Sequence, residues 1–243
     1  MYKHLYDQFA HWFHDGKGTV YFYSDPHFND DEMKHLRKNY IGDDEQVRRI
    51  NSKIGKYDTL VILGDVGDIE WVRKIRGYKV LVMGNHDKGA TKYKRRVNKH
   101  LYYTYKYTKE EAFNAAKELY PPFYKLFIEE VYATTEEYGT DRYWQVTADD
   151  GLFDEVYEGA LMIAPNIILS HEPIDFPYAM NIHGHIHNTK LFGRTFEDRC
   201  RHYNVCAELI DYTPVPLSFF IKHGFKEVVN IHRETIDRAV SKR

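Results

Sequence analysis

Short apolar runs recur along the chain, at residues 19–24, 59–63, 79–83, 160–163, 167–170, 178–182 and 203–210. Each is rich in aliphatic, β-branched or aromatic residues and has the length of a strand. Between the early runs the apolar spacing lengthens. Residues 43–54 carry acids in their first turn and Val47, Ile50 and Ile54 at helical spacing, which predicts an amphipathic helix. Asp68 is placed to cap a second helix that carries Trp71, Val72 and Ile75. Strand–helix alternation predicts βαβ units in the first third of the chain. The later runs come closer together and predict a more β-rich half with antiparallel pairing. At the N-terminus, Tyr2, Leu5, Tyr6, Phe9, Trp12 and Phe13 follow helical spacing and predict a packing helix. A last amphipathic helix is expected over residues 226–240.

Residues 91–150 break this rhythm. Lys92, Lys94, Arg95, Arg96, Lys99, Lys106 and Lys109 precede any acid, with Tyr93, Tyr102, Tyr103, Tyr105 and Tyr107 between them. Helical patterns follow over residues 110–120 and 123–137, broken by Pro121 and Pro122. The expectation is one domain over residues 1–243 with a helical insertion, or cap, at about 91–150.

Composition narrows the class. With 243 residues, 43% of them hydrophobic, the chain can bury roughly 70–75% of its unfolded surface in one core. A net charge of −2 produces no global field toward nucleic acid or membrane. Two cysteines, Cys200 and Cys206, cannot build a disulfide scaffold and read as small buried apolar side chains. No secretory leader and no 18-residue apolar run is evident, so the expected location is the cytoplasm, with no membrane partner.

Five of the apolar runs end in residues that can hold a cation. Asp25 and His27 follow the first, with a carboxylate and an imidazole two positions apart. Gly64, Asp65 and Asp68 follow the second; a carboxylate has two oxygens and can serve two metals. Gly84, Asn85, His86 and Asp87 follow the third, combining a neutral amide oxygen with an imidazole that titrates near neutrality. His171 follows a later run, and His183, Gly184, His185 and His187 follow the next. In extended chain His185 and His187 would share a face, and Gly184 would permit close approach. Any one of these is an ordinary turn. Together they would line one rim of a sheet, where open α/β folds bind ligands. The nitrogen and oxygen donors suit Mn²⁺, Fe, Zn²⁺ or Mg²⁺.

These motifs resemble those of the calcineurin-like metallophosphoesterases: Asp-x-His, Gly-Asp-x-x-Asp, Gly-Asn-His-Asp, a lone His and Gly-His-x-His, in that order. The resemblance covers residues 19–87 and 155–222, and is to the small bacterial and phage members. It implies an α/β fold, a four-layer αββα sandwich of two mixed β-sheets flanked by helices, with metals at the strand ends. It implies two divalent ions, Mn²⁺ the leading candidate and Fe, Zn²⁺, Ni²⁺ or Mg²⁺ the others. One ion would take Asp25, His27, Asp65 and His187; the other Asp65, Asn85, His171 and His185. His86 would stand over the scissile phosphate, with Asp68 or the competing Asp87 as its partner. His183 is not a family ligand and reads as a neighbour.

The resemblance further implies hydrolysis of a phosphodiester or nucleotide-type ester by a hydroxide that bridges the ions, with no covalent phosphoenzyme. Ile69 and Glu70 follow Asp68, where the protein phosphatases carry Arg-Gly, which weakens that substrate class. Lys94, Arg95 and Arg96 are candidate substrate contacts, since a basic, Tyr-rich segment could grip a phosphate backbone and stack bases. Two other functions stay open: a nuclease acting on DNA or RNA through that insertion, and a non-catalytic binding scaffold of the same fold.

Overall fold

The computed structural model describes residues 5–176, 179–188 and 202–223. They divide into two compact units, Met1–Tyr93 with Phe153–Arg243, and Lys94–Leu152.

The first unit holds two mixed sheets. One contains β1 (Val20–Tyr23), β2 (Thr59–Ile62), β3 (Tyr78–Val82), β7 (Glu155–Tyr157) and β12 (Val215–Pro216), in the order β12-β1-β2-β3-β7. All neighbours in it are parallel except β12 and β1. The other contains β8 (Leu161–Ala164), β9 (Ile167–Leu169), β10 (Met180–His183) and β11 (His202–Asn204), in the order β11-β10-β9-β8, antiparallel only between β8 and β9. Alternation along the strands assigns the faces. Val20, Phe22, Val61, Val80 and Val82 of one sheet form a continuous core with Ile163, Ile167, Leu169, Met180 and Ile182 of the other.

The residues between them, such as Tyr23, Leu60, Ile62, Lys79 and Leu81, are buried on the outer face of the first sheet. There the Tyr23 hydroxyl donates to Gln46 on α2 (Asp43–Lys53) at 2.5 Å. Lys79 Nζ donates to the carbonyls of Ile75, just past α3 (Ile69–Val72), and Val72 within it. Helices on one outer face and two packed sheets thus account for three of the four expected layers. The helix expected over residues 226–240 lies outside the described residues, as does Cys200. No helix among the described residues is long and apolar enough to cross a membrane.

Several predicted elements change form. The N-terminal segment is a 3-10 helix, Asp7–Gly16, not an α-helix, and breaks at His14 and Asp15, both at positive φ. It still buries Phe9, Trp12 and Phe13 in the shared core. The run at 203–210 is a strand only to Asn204; Ala207–Ile210 then forms a 3-10 helix.

The second unit overturns the helical insertion. It is an antiparallel sheet of β4 (Val97–Tyr103), β6 (Gly139–Asp149) and β5 (Lys125–Thr135), in the order β4-β6-β5. One helix, α5 (Lys109–Leu119), accompanies it, opened by a Thr108–Glu111 capping box. The expected helix at 123–137 is instead the eleven-residue strand β5, paired to β6 along its whole length. Phe123, Phe127 and Val131 mimic helical spacing. Leu126 and Ile128 also alternate, and the β-branched content decides once a partner strand is available. Two further short helices, α4 (Ala90–Tyr93) and α6 (Leu217–His223), complete the described residues together with α1 (Asp31–Leu36).

Candidate metal centre

Every motif singled out in the first unit follows a parallel strand at its C-terminal end. The loops that leave these ends are tight. Asp25, His27, Asp65, His185 and His187 all have φ between 44° and 68°, a region that non-glycine residues seldom occupy. Strain of this kind concentrates where surrounding structure holds side chains for function. Two glycines are needed for the loops to meet. A Cβ on Gly64 (φ +87°) would lie 2.4 Å from His171 Nδ1, and one on Gly184 would lie 2.1 Å from Asp25 Oδ2. At Gly184, then, the Ser24 hydroxyl, at 1.9 Å, and the Asp25 carboxylate both come close.

The ligand-type atoms form two groups. In the first, His187 Nε2 lies 3.5 Å and His27 Nε2 3.8 Å from Asp25 Oδ1. In the second, His171 Nε2, His185 Nδ1 and the Asn85 amide oxygen lie 2.8–3.1 Å from one another. Asp65 joins them. Its Oδ2 is 3.6 Å from His27 Nε2 and 3.3 Å from His171 Nε2. A single oxygen of Asp65 therefore faces both groups. The other, Oδ1, accepts the His86 backbone N–H at 3.0 Å.

His185 and His187 fall in different groups, and not by strand alternation. β10 ends at His183, and the two residues lie in the turn beyond it. His183 is buried, donates from Nδ1 to the Gly184 carbonyl and packs against His202. Burial lowers its pKa to about 4, so it is held neutral.

The outer nitrogens of these rings are held as well. His27 Nδ1 bonds to Asp30 at 2.9 Å, His187 Nδ1 to Glu208 at 2.8 Å and His171 Nδ1 to the Leu63 carbonyl at 2.8 Å. Such bonds fix the ring and the tautomer of a metal-ligating histidine. Arg37, buried, forms an ion pair with Glu208 at 3.3 Å and donates to the carbonyls of Asp25 and Pro26. Asp25 Oδ2 accepts from the Ser24 hydroxyl, the His185 N–H and the Cys206 thiol.

Burial would raise the Glu208 carboxyl, but His187 and Arg37 outweigh it and hold its pKa low. Burial lowers the pKa of His27 despite the nearby carboxylates. Burial also works to lower His171, yet Asp65 and Asp25 outweigh it and raise its pKa to about 9.

Asp30, Arg37, Cys206 and Glu208 were not expected from the motifs. The one sequence signal for them is His27-x-x-Asp30, with Asp30 also capping α1. Glu208 comes from 21 residues beyond its partner and has no local signature.

Neither expected partner of His86 pairs with it. Asp68 caps α3 through the Glu70 N–H and accepts from Asn29 through its other oxygen. Asp87 accepts the backbone N–H groups of Asp65, Val66 and Gly84, which ties the second and third motif loops together. Asp68 thus serves as an N-cap and Asp87 as a loop clamp. His86 itself is exposed, its ring edge-on to His27 with centroids 5.6 Å apart.

In the second unit, Arg95 forms a two-pronged pair with Asp149, at 2.8 and 2.5 Å. That pair ties the segment before β4 to the end of β6; Lys94 and Arg96 are exposed, as is Arg95. Tyr103 stacks on Tyr138 at 5.0 Å, and Lys106 lies over the Tyr138 ring.

The first group fits a cation. Asp25 Oδ1 and His27 Nε2 are buried and have no hydrogen-bond partner, a costly arrangement for polar atoms that meet nothing. Asp25, His27 and His187, and likewise Asp65, His171 and His185, each bring their ligand atoms within 4.8 Å of one another.

Two sheets with nitrogen–oxygen groups at their strand ends define an α/β protein with candidate metal-binding groups. The sequence profile of the calcineurin-like phosphoesterases matches residues 18–199, and the chain belongs to that family. It is similar to a protein of unknown function from Aquifex aeolicus known from its crystal structure. That likeness has a TM-score of 0.50 and 21% identity, and covers 84% of this chain and 98% of the other; it speaks for the fold alone. Comparison with curated proteins gives no match.

Proposed function

We propose that this chain is a dinuclear metal-dependent phosphoesterase that hydrolyses a phosphodiester or nucleotide-type phosphate ester. The observation that carries the reading is Asp65 Oδ2, which lies 3.6 and 3.3 Å from histidine nitrogens of two separate groups. Asp25, His27 and His187 would hold one ion and Asn85, His171 and His185 the other, with Asp65 between them. Bound there, two divalent cations act as Lewis acids and lower the pKa of water toward neutrality.

The chain's own residues do the remaining work. Asp30, Glu208 and the Leu63 carbonyl orient three of the rings and leave one nitrogen of each free to bind. Asp87 keeps the loops of Asp65 and Asn85 in register. His86, exposed beside His27, is placed to give a proton to the leaving oxygen. Retention of every ligand position and of His86 favours an enzyme over a binding scaffold.

The test is metal analysis with a paired assay, bis-p-nitrophenyl phosphate against p-nitrophenyl phosphate, after loading in turn with Mn²⁺, Fe²⁺, Zn²⁺, Ni²⁺ and Mg²⁺. Bound metal and a diesterase preference are expected. His86→Ala keeps the metal and slows turnover by about 10²–10⁴-fold. No metal bound, or no turnover of either ester with any ion, overturns the reading.

A further inference from the structure

A cavity of about 510 Å³ lies against the first metal group, with His187 and its partner Glu208 in one wall. Its volume falls in the range of small-molecule sites, roughly 300–1,000 Å³. The cavity is also lined by apolar Met33 and Leu36 of α1 and Leu209 of the last 3-10 helix, with Leu36 74% and Leu209 43% exposed. Leucines this open are unremarkable singly; here they converge on one pocket beside a candidate reaction centre.

Polar groups in the same pocket are of two kinds. Arg37 and Glu208 are a buried ion pair, and Arg37 also donates to the Asp25 carbonyl while Glu208 also bonds to His187, so their charges are already engaged. Lys38, Asn39 and Asn188 also line the cavity. Their side chains are exposed and make no hydrogen bond or ion pair among the described residues. Each free amide offers a donor and an acceptor side by side, the pairing that reads the edge of a heteroaromatic base. Lys38 adds one positive charge for a neighbouring phosphate.

We propose that this cavity is a nucleobase subsite: Leu36, Leu209 and Met33 cover the face of the base, and Asn39 and Asn188 bond to its edge, while the phosphate lies at the metal group. The inference rests on the phosphoesterase reading and names its substrate class. A flexible aliphatic group would cover the apolar lining but make no use of either amide, so it would be recognised less specifically.

The test uses substrates with one leaving group. The 5′-(p-nitrophenyl phosphates) of adenosine, guanosine, cytidine and thymidine are compared with methyl p-nitrophenyl phosphate on the metal-loaded protein. At least one nucleoside ester should have a kcat/KM about tenfold or more above the methyl ester, chiefly through KM. Leu36→Asp and the Asn39→Ala/Asn188→Ala pair should each cut that preference by about fivefold or more. A preference unchanged by both variants, or none for any base, overturns the proposal.

Independently of turnover, saturation-transfer NMR with the four free nucleosides reports binding to the pocket. Signal from at least one base, lost in Leu36→Asp, supports the subsite even if neither ester is hydrolysed, in which case the phosphoesterase reading alone has failed. No signal from any nucleoside, with folded protein confirmed by its thermal melt, overturns the subsite even where diesters are turned over.

Discussion

Asp25 and Glu155 are carboxylates on the same sheet, one at the exit of β1 and one at the entry of β7, and their surroundings are opposite. Glu155 is saturated. Its Oε1 accepts from His11, Trp12 and Tyr78, and its Oε2 from Tyr157. Burial would raise its pKa, but those donors outweigh it and the pKa is lowered. Asp25 has three donors on Oδ2 and none on the buried Oδ1. The entry end of the strands is built to stand by itself. The exit end leaves a buried carboxylate oxygen without a protein donor, an arrangement that a cation would complete.

Four substitutions test this contrast. Asp65→Ala has the largest effect, because it removes the oxygen that faces both groups. Metal analysis should find neither ion tightly held. Loss of their Lewis-acid contribution, several kcal/mol, should lower turnover by about 10³-fold or more. Retention of one tightly bound ion would mean that the groups are independent.

Next is Glu208→Gln, which keeps an acceptor beside His187 but removes the charge. Affinity for one of the two ions should fall about 10–100-fold, while the ion of Asn85, His171 and His185 is unaffected. Equal weakening of both in a metal titration would show that Glu208 acts on the whole rim.

At the other end, Glu155→Gln should cost about 1–3 kcal/mol in denaturant unfolding at neutral pH. The loss should depend on pH with a definite sign. The folded pKa lies below the ordinary 4.5, so the wild-type advantage is complete above that pH. It disappears as the pH falls through the folded value. A difference that persisted undiminished at low pH would assign the effect to packing.

Asp25→Asn should have the smallest effect on the metal-free protein. The lone buried oxygen is replaced by a neutral group, so stability should hold within about 1 kcal/mol or rise, although the first ion no longer binds well. A loss as large as that of Glu155→Gln would dissolve the distinction between the two ends.

Much of the rim was legible because its residues are local to strand exits. Asp25 and His27, Asp65, Asn85 and His86, His171, and His185 and His187 each follow an apolar run that does become a strand. The residues that hold those rings were not legible. Glu208 reaches His187 only because the chain turns into a 3-10 helix after β11, where alternation alone extends the strand. Asp87 looked like a partner for His86, yet three backbone N–H groups, two from the Asp65 loop and one from its own turn, claim it. In the second unit, residues 125–135 satisfy helical and strand spacing alike. Pairing with β6, a contact invisible to periodicity, makes them a strand.

By itself, then, the sequence determined most strands of the two buried sheets, β7 and β12 apart, and which donors stand at their ends, since both follow from side-chain chemistry and short spacing. The tertiary structure decided how those donors divide. A strained left-handed backbone sends His185 to Asn85 and His171, and His187 to Asp25 and Glu208. That division depends on where loops from five strands meet, and the packing of two sheets sets those positions.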